Sequence, residues 1–236
     1  MPRTLKTDIP GEDWRVSPEQ ARQHGWREIF SSHLEADCPL VVEIGFGRGE
    51  FIVDLARRSP DTAFVGVEYN RRRVMKMARR LARQEFRNIR LVEAMGQEVV
   101  RDLPPDSVTE FWVNFSDPWP KKRHHKNRIL QVEMIHAMAL RLVPGGLLHV
   151  ATDHEGYAEF IQERISKETL LENALAPRPL AREMPERMET VYQEIWREKG
   201  STPYFWEYQR VDRAPLSEES VDPLLAGAWP SRRRQE

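Results

Sequence analysis

The chain has 236 residues, 40% of them hydrophobic, and its 36 Lys plus Arg nearly cancel 37 Asp plus Glu to a net charge of −1. That length suits one α/β domain with appendages and a full core, not two complete domains, and the balanced charge points by itself to neither nucleic acid nor membrane, so such partners have to be read from local clusters. The single cysteine, Cys38, excludes an internal disulfide framework and a Cys-rich zinc site and fits a reducing compartment; with no apolar run near the roughly 18 residues of a membrane span and no apolar signal segment in "MPRTLKTDIPGEDW", a soluble cytoplasmic protein is expected.

Residues 1–36 read as a loosely structured N-terminal arm. From residue 37 short apolar runs alternate with longer amphipathic ones. "PLVVEIGFG" is a strand entering glycines, "GEFIVDLARRS" a helix, "TAFVGVEYN" a strand and "RRRVMKMARRLARQ" a helix. There follow "NIRLVEA" as strand, "GQEVVRDL" as helix, "VTEFWVNF" as strand, "ILQVEMIHAMALRLV" as helix, "GGLLHVATD" as strand and "GYAEFIQERISK" as helix. After a helical or loop region at 182–200, "TPYFWEYQRV" reads as an aromatic strand joining the sheet near an edge. Such alternation predicts an α/β, doubly wound, mostly parallel sheet with helices on both faces over residues 37–211, followed by a flexible tail at 212–236.

Ligands of such sheets sit beyond the carboxyl ends of the strands. The first strand ends in "EIGFGRG", where Gly45, Gly47 and Gly49 permit tight turning and close backbone approach. Glu50 stands where a dinucleotide fingerprint would have its third glycine, and Glu43 precedes the loop. A carboxylate there repels a pyrophosphate and suits a ligand with a cationic end, such as the amino group of a methionine moiety. Glu68, closing the second strand, stands where an acid commonly accepts the hydroxyls of an adenosine ribose. Each feature alone is equally a plain strand-to-helix turn or a solvated charge; together they predict a nucleoside-plus-cation site, and S-adenosylmethionine has both parts.

The fourth strand leads into "NFSDPWPKKRHHKNR". Pro118 and Pro120 restrict the backbone around Trp119, so Asp117 is held stiffly on the loop beside the glycines. Lys121, Lys122, Arg123, Lys126 and Arg128 then form a strip suited to phosphates. A charge run is more often a solvated face; its place beside the acidic loop favours nucleic acid. In "RRRVMKMARRLAR", Val74, Met77, Ala78, Leu81 and Ala82 make a core stripe, while the arginines on the remaining faces form either a second basic patch or a soluble surface. His124 and His125 have no partner at metal-ligand spacing, so no metal is expected.

"EIGFGRGEF", "GVEYN", "NFSDPWPKKRHHKNR" and "ATDHEGYAEF", in this order and spacing, resemble the bacterial tRNA (guanine-N7-)-methyltransferase family over residues 38–211, the D-P-W-x-K-x-R-H run being far more specific than the glycine loop. The resemblance implies a class I, Rossmann-like methyltransferase with a seven-stranded sheet, using S-adenosylmethionine to methylate N7 of the variable-loop guanine at position 46 of tRNA, as a monomer or homodimer. It implies methyl-donor contacts at Glu43, Glu68 and Asp117 alongside the glycine loop, with Asp117 also the catalytic acid residue. It implies substrate contacts at Lys121 and Asp153, and RNA-facing positions at Arg123, His124, His125, Lys126, Asn127 and Arg128. Two departures stand out. The family's adenine-contacting Asp or Asn falls on Met95 in "VEAMGQ", Glu93 serving only if the loop is shifted. The family's T-x-[YF]-E falls on "TVYQ": Thr190 and Tyr192 match, while Gln193 still accepts a hydrogen bond but carries no charge.

Guanine N7 has an in-plane lone pair and no proton, so its methylation requires positioning and not a general base. Other readings are an enzyme methylating an exocyclic amine, since "DPW" after a strand also resembles the acid-proline-aromatic loop of amino-methylating enzymes, and a noncatalytic tRNA-binding protein retaining the fold. A nicotinamide enzyme is the weakest, because the third fingerprint glycine is missing.

Overall fold

The computed structural model describes residues 7–84, 86–183, 202–217 and 219–225. In chain order the elements are α1 (Pro18–Phe30), β1 (Leu40–Ile44), α2 (Glu50–Arg58), β2 (Ala63–Glu68), α3 (Arg71–Leu81), β3 (Ile89–Glu93), α4 (Gly96–Asp102) and β4 (Val108–Asn114). After a 3-10 helix (Lys122–Asn127) come α5 (Val132–Arg141), β5 (Leu142–Thr152), α6 (Glu155–Ile165), β6 (Leu171–Asn173) and β7 (Tyr204–Arg210).

The strands form one seven-stranded sheet in the order β3-β2-β1-β4-β5-β7-β6. Pairings from β3 through β5 are parallel, and β7 runs antiparallel between β5 and β6, one place in from the edge. Every residue of β1 and β2 is buried, as parallel strands covered on both faces require. One face is packed by α1, α4, α5 and α6 through residues such as Phe30, Val100, Met138 and Ile161. On the opposite face, α2 contributes Phe51 and Ile52, and α3 contributes Val74, Met77, Ala78 and Leu81. The expected α3 stripe is therefore core, with Met75 buried beside it and Ala82 only half-buried.

Two readings change over the described residues. The N-terminal segment is not a loose arm throughout but contains α1, capped by Ser17 and Gln20 in reciprocal hydrogen bonds. Ahead of it the chain pairs with the outer edge of β3, Leu91 N–H donating to Trp14 at 3.0 Å and Val16 N–H to Leu91 at 2.8 Å. An edge strand offers a row of unpaired backbone groups, and this segment satisfies part of that row. Arg90 then lies 4.4 Å from the Trp14 ring and 4.7 Å from Phe30, tying the segment to α1. Beyond β7 the chain also packs: Leu224 is buried, Asp222 pairs with the buried Arg141, and the Glu219 carbonyl lies 2.9 Å from His136 Nε2. Hydrophobic periodicity does not register such segments, because they are held by single anchors and not by a repeating face. No helix among the described residues is long and apolar enough to cross a membrane.

Candidate active site

The order of the strands reverses between β1 and β4, and a cleft opens above their carboxyl ends. Its volume is ≈ 350 Å³, within the range of small-molecule sites. Gly45 just past β1, Glu68 at the end of β2 with Tyr69 after it, Met95 and Gln97 beyond β3, and Ser116, Asp117 and Trp119 beyond β4 all line it.

The three loop glycines serve different ends. All have positive φ: +80° at Gly45, +58° at Gly47 and +76° at Gly49. Only Gly45 lines the cleft, where a Cβ would meet nothing within 4 Å. Gly47 donates its N–H to Glu68 Oε2 at 3.2 Å. Gly49 starts α2, and a Cβ there would lie 2.5 Å from Met77 Sδ, so its small size serves the packing of α2 on α3.

Glu68 is nearly fully buried. Besides Gly47, its carboxylate accepts the Asn70 N–H at 2.8 Å and pairs with Arg73 at 3.3 Å. One side chain thus joins the glycine loop to the start of α3, while Asn70 caps that helix by accepting from Arg72 and Arg73. A carboxylate has more lone pairs than these three donors use, so it retains capacity for ligand hydroxyls.

Glu43 is not on the cleft wall. It lies on β1 behind the glycine loop, 1% exposed, with Oε2 lacking a hydrogen-bond partner. Burial pushes its carboxyl up to about 8, the Asn114 amide opposing and the Glu68 charge adding to the rise. The folded pKa lies above the ordinary 4.5, so the folded state holds the proton more tightly. The stabilisation from this group is fully present below the unfolded value and is lost as pH rises through the folded one. Glu43→Gln is accordingly expected to gain stability relative to the parent chain as pH rises from about 5 to about 9, read as urea midpoints without ligand. A constant difference across that range would assign the titration to another group.

The acidic turn is braced on both sides. Two non-glycine residues in the left-handed region, Phe115 (φ 49°) and Trp119 (φ 43°), flank Asp117, a conformation that persists only where surroundings impose it. Asp117 Oδ1 accepts the Trp119 N–H at 2.9 Å, closing a side-chain turn. Phe115 N–H donates to Ala151 on β5 at 2.8 Å, and the Ser116 and Tyr157 hydroxyls lie 3.2 Å apart. Tyr157 is fully buried in α6, and burial pushes its phenol up to about 12, so it stays neutral. Arg128 Nε donates to the Pro118 carbonyl at 2.7 Å. Asp117 itself remains exposed at the cleft.

Among the expected RNA-facing residues, Lys121, Arg123 and Lys126 are exposed, with Lys122 beside them. His124 is half-buried and edge-on to Trp119 at 5.7 Å. His125 is half-buried with Nε2 enclosed, and Asn127 lines the cleft. Arg128 is 2% exposed. Its guanidinium lies 4.5 Å from the Phe160 ring and 5.0 Å from Tyr157, and does not face solvent. Asp153 is exposed immediately after β5. Thr190, Tyr192 and Gln193 lie outside the described residues. Among the described residues no group of three or more His, Cys, Asp or Glu is arranged to hold a metal ion.

The cleft also contains residues that the sequence reading passed over: Tyr69, 64% exposed, and Gln97, 9% exposed with a buried, unpartnered Oε1. The only signal for Gln97 was a polar residue just inside the short helix after β3.

Residues 37–205 match a family model described as "putative methyltransferase". The chain is 34% identical over 215 residues to a tRNA (guanine-N(7)-)-methyltransferase of Thermus thermophilus, an alignment covering 91% of this chain and 64% of that protein. It is 38% identical over 164 residues to the enzyme of the same name from Halorhodospira halophila, covering 69% and 71%. Against the Thermus protein the chain thus spans less than two thirds of its relative's length. Among solved structures the 16S rRNA methyltransferase KamB superposes with a TM-score of 0.56 at 16% identity, covering 82% of this chain and 93% of that one. At that identity the likeness speaks for the fold alone.

Proposed function

The chain belongs to the bacterial tRNA (guanine-N7-)-methyltransferase family, and from that premise we propose that it transfers a methyl group from S-adenosylmethionine to N7 of a guanine in tRNA, the variable-loop guanine at position 46. The observation that carries the reading is the Asp117 turn, held between two left-handed residues at the mouth of a nucleoside-sized cleft and continuous with an exposed basic strip.

The cleft fits the donor on its own chemistry. Gly45 leaves its floor open, Glu68 has acceptor capacity for ribose hydroxyls, and the unpartnered Glu43 Oε2 supplies negative potential behind the loop once a cation favours its ionised form. Bound there, the donor supplies an electrophilic methyl carbon on a sulfonium.

The protein's task is alignment. Because guanine N7 carries no proton, Asp117 removes none; its free carboxylate oxygen accepts from the N1 and exocyclic-amine edge of the base and offsets the positive charge developing on the purine. Holding nitrogen, methyl carbon and sulfur in line is the kind of positioning that lowers barriers by about 7–11 kcal/mol in favourable cases. Lys121, Lys122, Arg123 and Lys126 hold the RNA backbone, which fixes register without reading sequence. The start of α3 supports an RNA partner too. Arg71 and Arg72 occupy a first turn without an acidic residue, against the helix dipole, and Arg72 with Lys76 is a like-charge pair one turn apart. Polyanion binding relieves both penalties.

The test is incubation of the purified protein with labelled S-adenosylmethionine and unmodified tRNA transcripts, with the methyl group located by nuclease digestion and mass spectrometry. A single N7-methylguanosine in the variable loop is expected. A methyl group on an exocyclic nitrogen would select the amino-methylating reading, and tRNA binding without transfer the noncatalytic one.

A further inference from the structure

The wall of the cleft beyond β3 carries Met95, one of the two departures from the pattern of the family. Met95 occupies the position of the adenine-contacting Asp or Asn, and a thioether is a weak acceptor that offers no donor. Met95 is the N-cap of α4, its N–H directed to Glu98 Oε2 at 3.3 Å. Glu93 ends β3 as an exposed residue and does not line the cleft. Neither residue presents the cleft with both a donor and an acceptor for a base edge, as a carboxamide does.

Two residues after Met95, Gln97 lines the same cleft, nine-tenths buried, with its Oε1 enclosed and without a partner. Native interiors rarely leave such an atom unpaired. Gly96 accounts for the closeness of this turn to the site. A Cβ there would come within 2.6 Å of Ile44 Cγ2, so α4 begins in contact with the end of β1. Glu68, Ser116 and Asp117 on the same lining each have a protein partner, in Gly47, Asn70 and Arg73, in Tyr157, and in the Trp119 N–H, whereas the buried Gln97 Oε1 has none.

We infer that Gln97 reads the adenine of the methyl donor in place of the side chain that the family carries at the position of Met95. The carboxamide matches that base edge, its oxygen accepting from the exocyclic amine while its NH₂ donates to a ring nitrogen, the pairing that Asn and Gln make with adenine in nucleic acids. Gln97 is thus a specificity-determining residue, and its role rests on the donor reading proposed above.

Calorimetry on the full chain separates the two ideas. The ligands are S-adenosylhomocysteine and its analogue lacking the 6-amino group. The parent protein is expected to prefer the amino form about tenfold. Gln97→Leu, similar in volume and without polar atoms, should bind the amino form about tenfold more weakly and no longer distinguish the two ligands. Met95→Asn added to Gln97→Leu should restore the preference. If Gln97→Leu weakens both ligands together and keeps the parent ratio, or changes nothing, the inference is overturned while the donor site stands. A parent protein that binds neither ligand overturns the donor reading and this inference with it.

Discussion

Asp117→Asn is expected to lower the maximal rate of tRNA methylation by about 10²–10³-fold, the scale seen when one preorganised hydrogen-bonding group aimed at developing charge is removed. The substitution is chosen because the turn survives it. An Asn Oδ1 still accepts the Trp119 N–H that Asp117 Oδ1 takes at 2.9 Å, so Phe115 and Trp119 keep their left-handed support. What is lost is the charge and one acceptor, replaced by a donor that opposes the donor edge of guanine. Affinity for S-adenosylhomocysteine and for tRNA should stay within a few-fold, placing the effect in turnover. Near-normal single-turnover rates with tRNA bound would sink both roles assigned to Asp117, orientation of the base and offset of its charge. Asp117→Ala removes the turn as well and should be the slower enzyme of the two.

Arg128→Met is expected to destabilise the fold by about 3 kcal/mol, mostly from the unsatisfied Pro118 carbonyl and the lost ring contacts. For a chain of this size that is a fall of about 6–12 °C in the melting midpoint. Methionine fills most of the vacated volume, so the loss reports hydrogen bonds and charge more than a cavity. Because Arg128 Nε fixes the Pro118 carbonyl at 2.7 Å, turnover should fall at temperatures where the protein remains folded. The salt dependence of tRNA binding should not change, whereas Lys121→Gln or Lys126→Gln should each reduce its slope by about one phosphate contact. A variant that melts like the parent but loses a unit of salt slope would return Arg128 to the RNA surface.

Asp117 and Arg128 stand in one motif, yet they are legible in the sequence to different degrees. The stiffness of the Asp117 loop follows from prolines that restrict their own neighbours, and the structure adds the flanking left-handed residues and the clamp from α6. Arg128 reads in the sequence as one more cation in a basic strip. Its burial depends on Tyr157 and Phe160, supplied by a helix that follows an intervening strand. The same holds for Gln97, which looks like an ordinary helix residue until β1 and the β4 loop close the cleft around it.

By itself the sequence determined what local chemistry controls: the alternation of strands and helices, the apolar stripe of α3, the glycine turn after β1, and the stations of Glu68 and Asp117 at strand ends. These depend on residue spacing and on Gly and Pro acting over a few positions. Tertiary structure alone decided the strand order, the addition of Trp14 to the edge of β3, the depth of Glu43 behind its loop, and which cations face solvent. Periodicity encodes where a helix or strand is apolar, but the burial and partners of a polar group are set by segments remote in the chain, whose arrival no local pattern records.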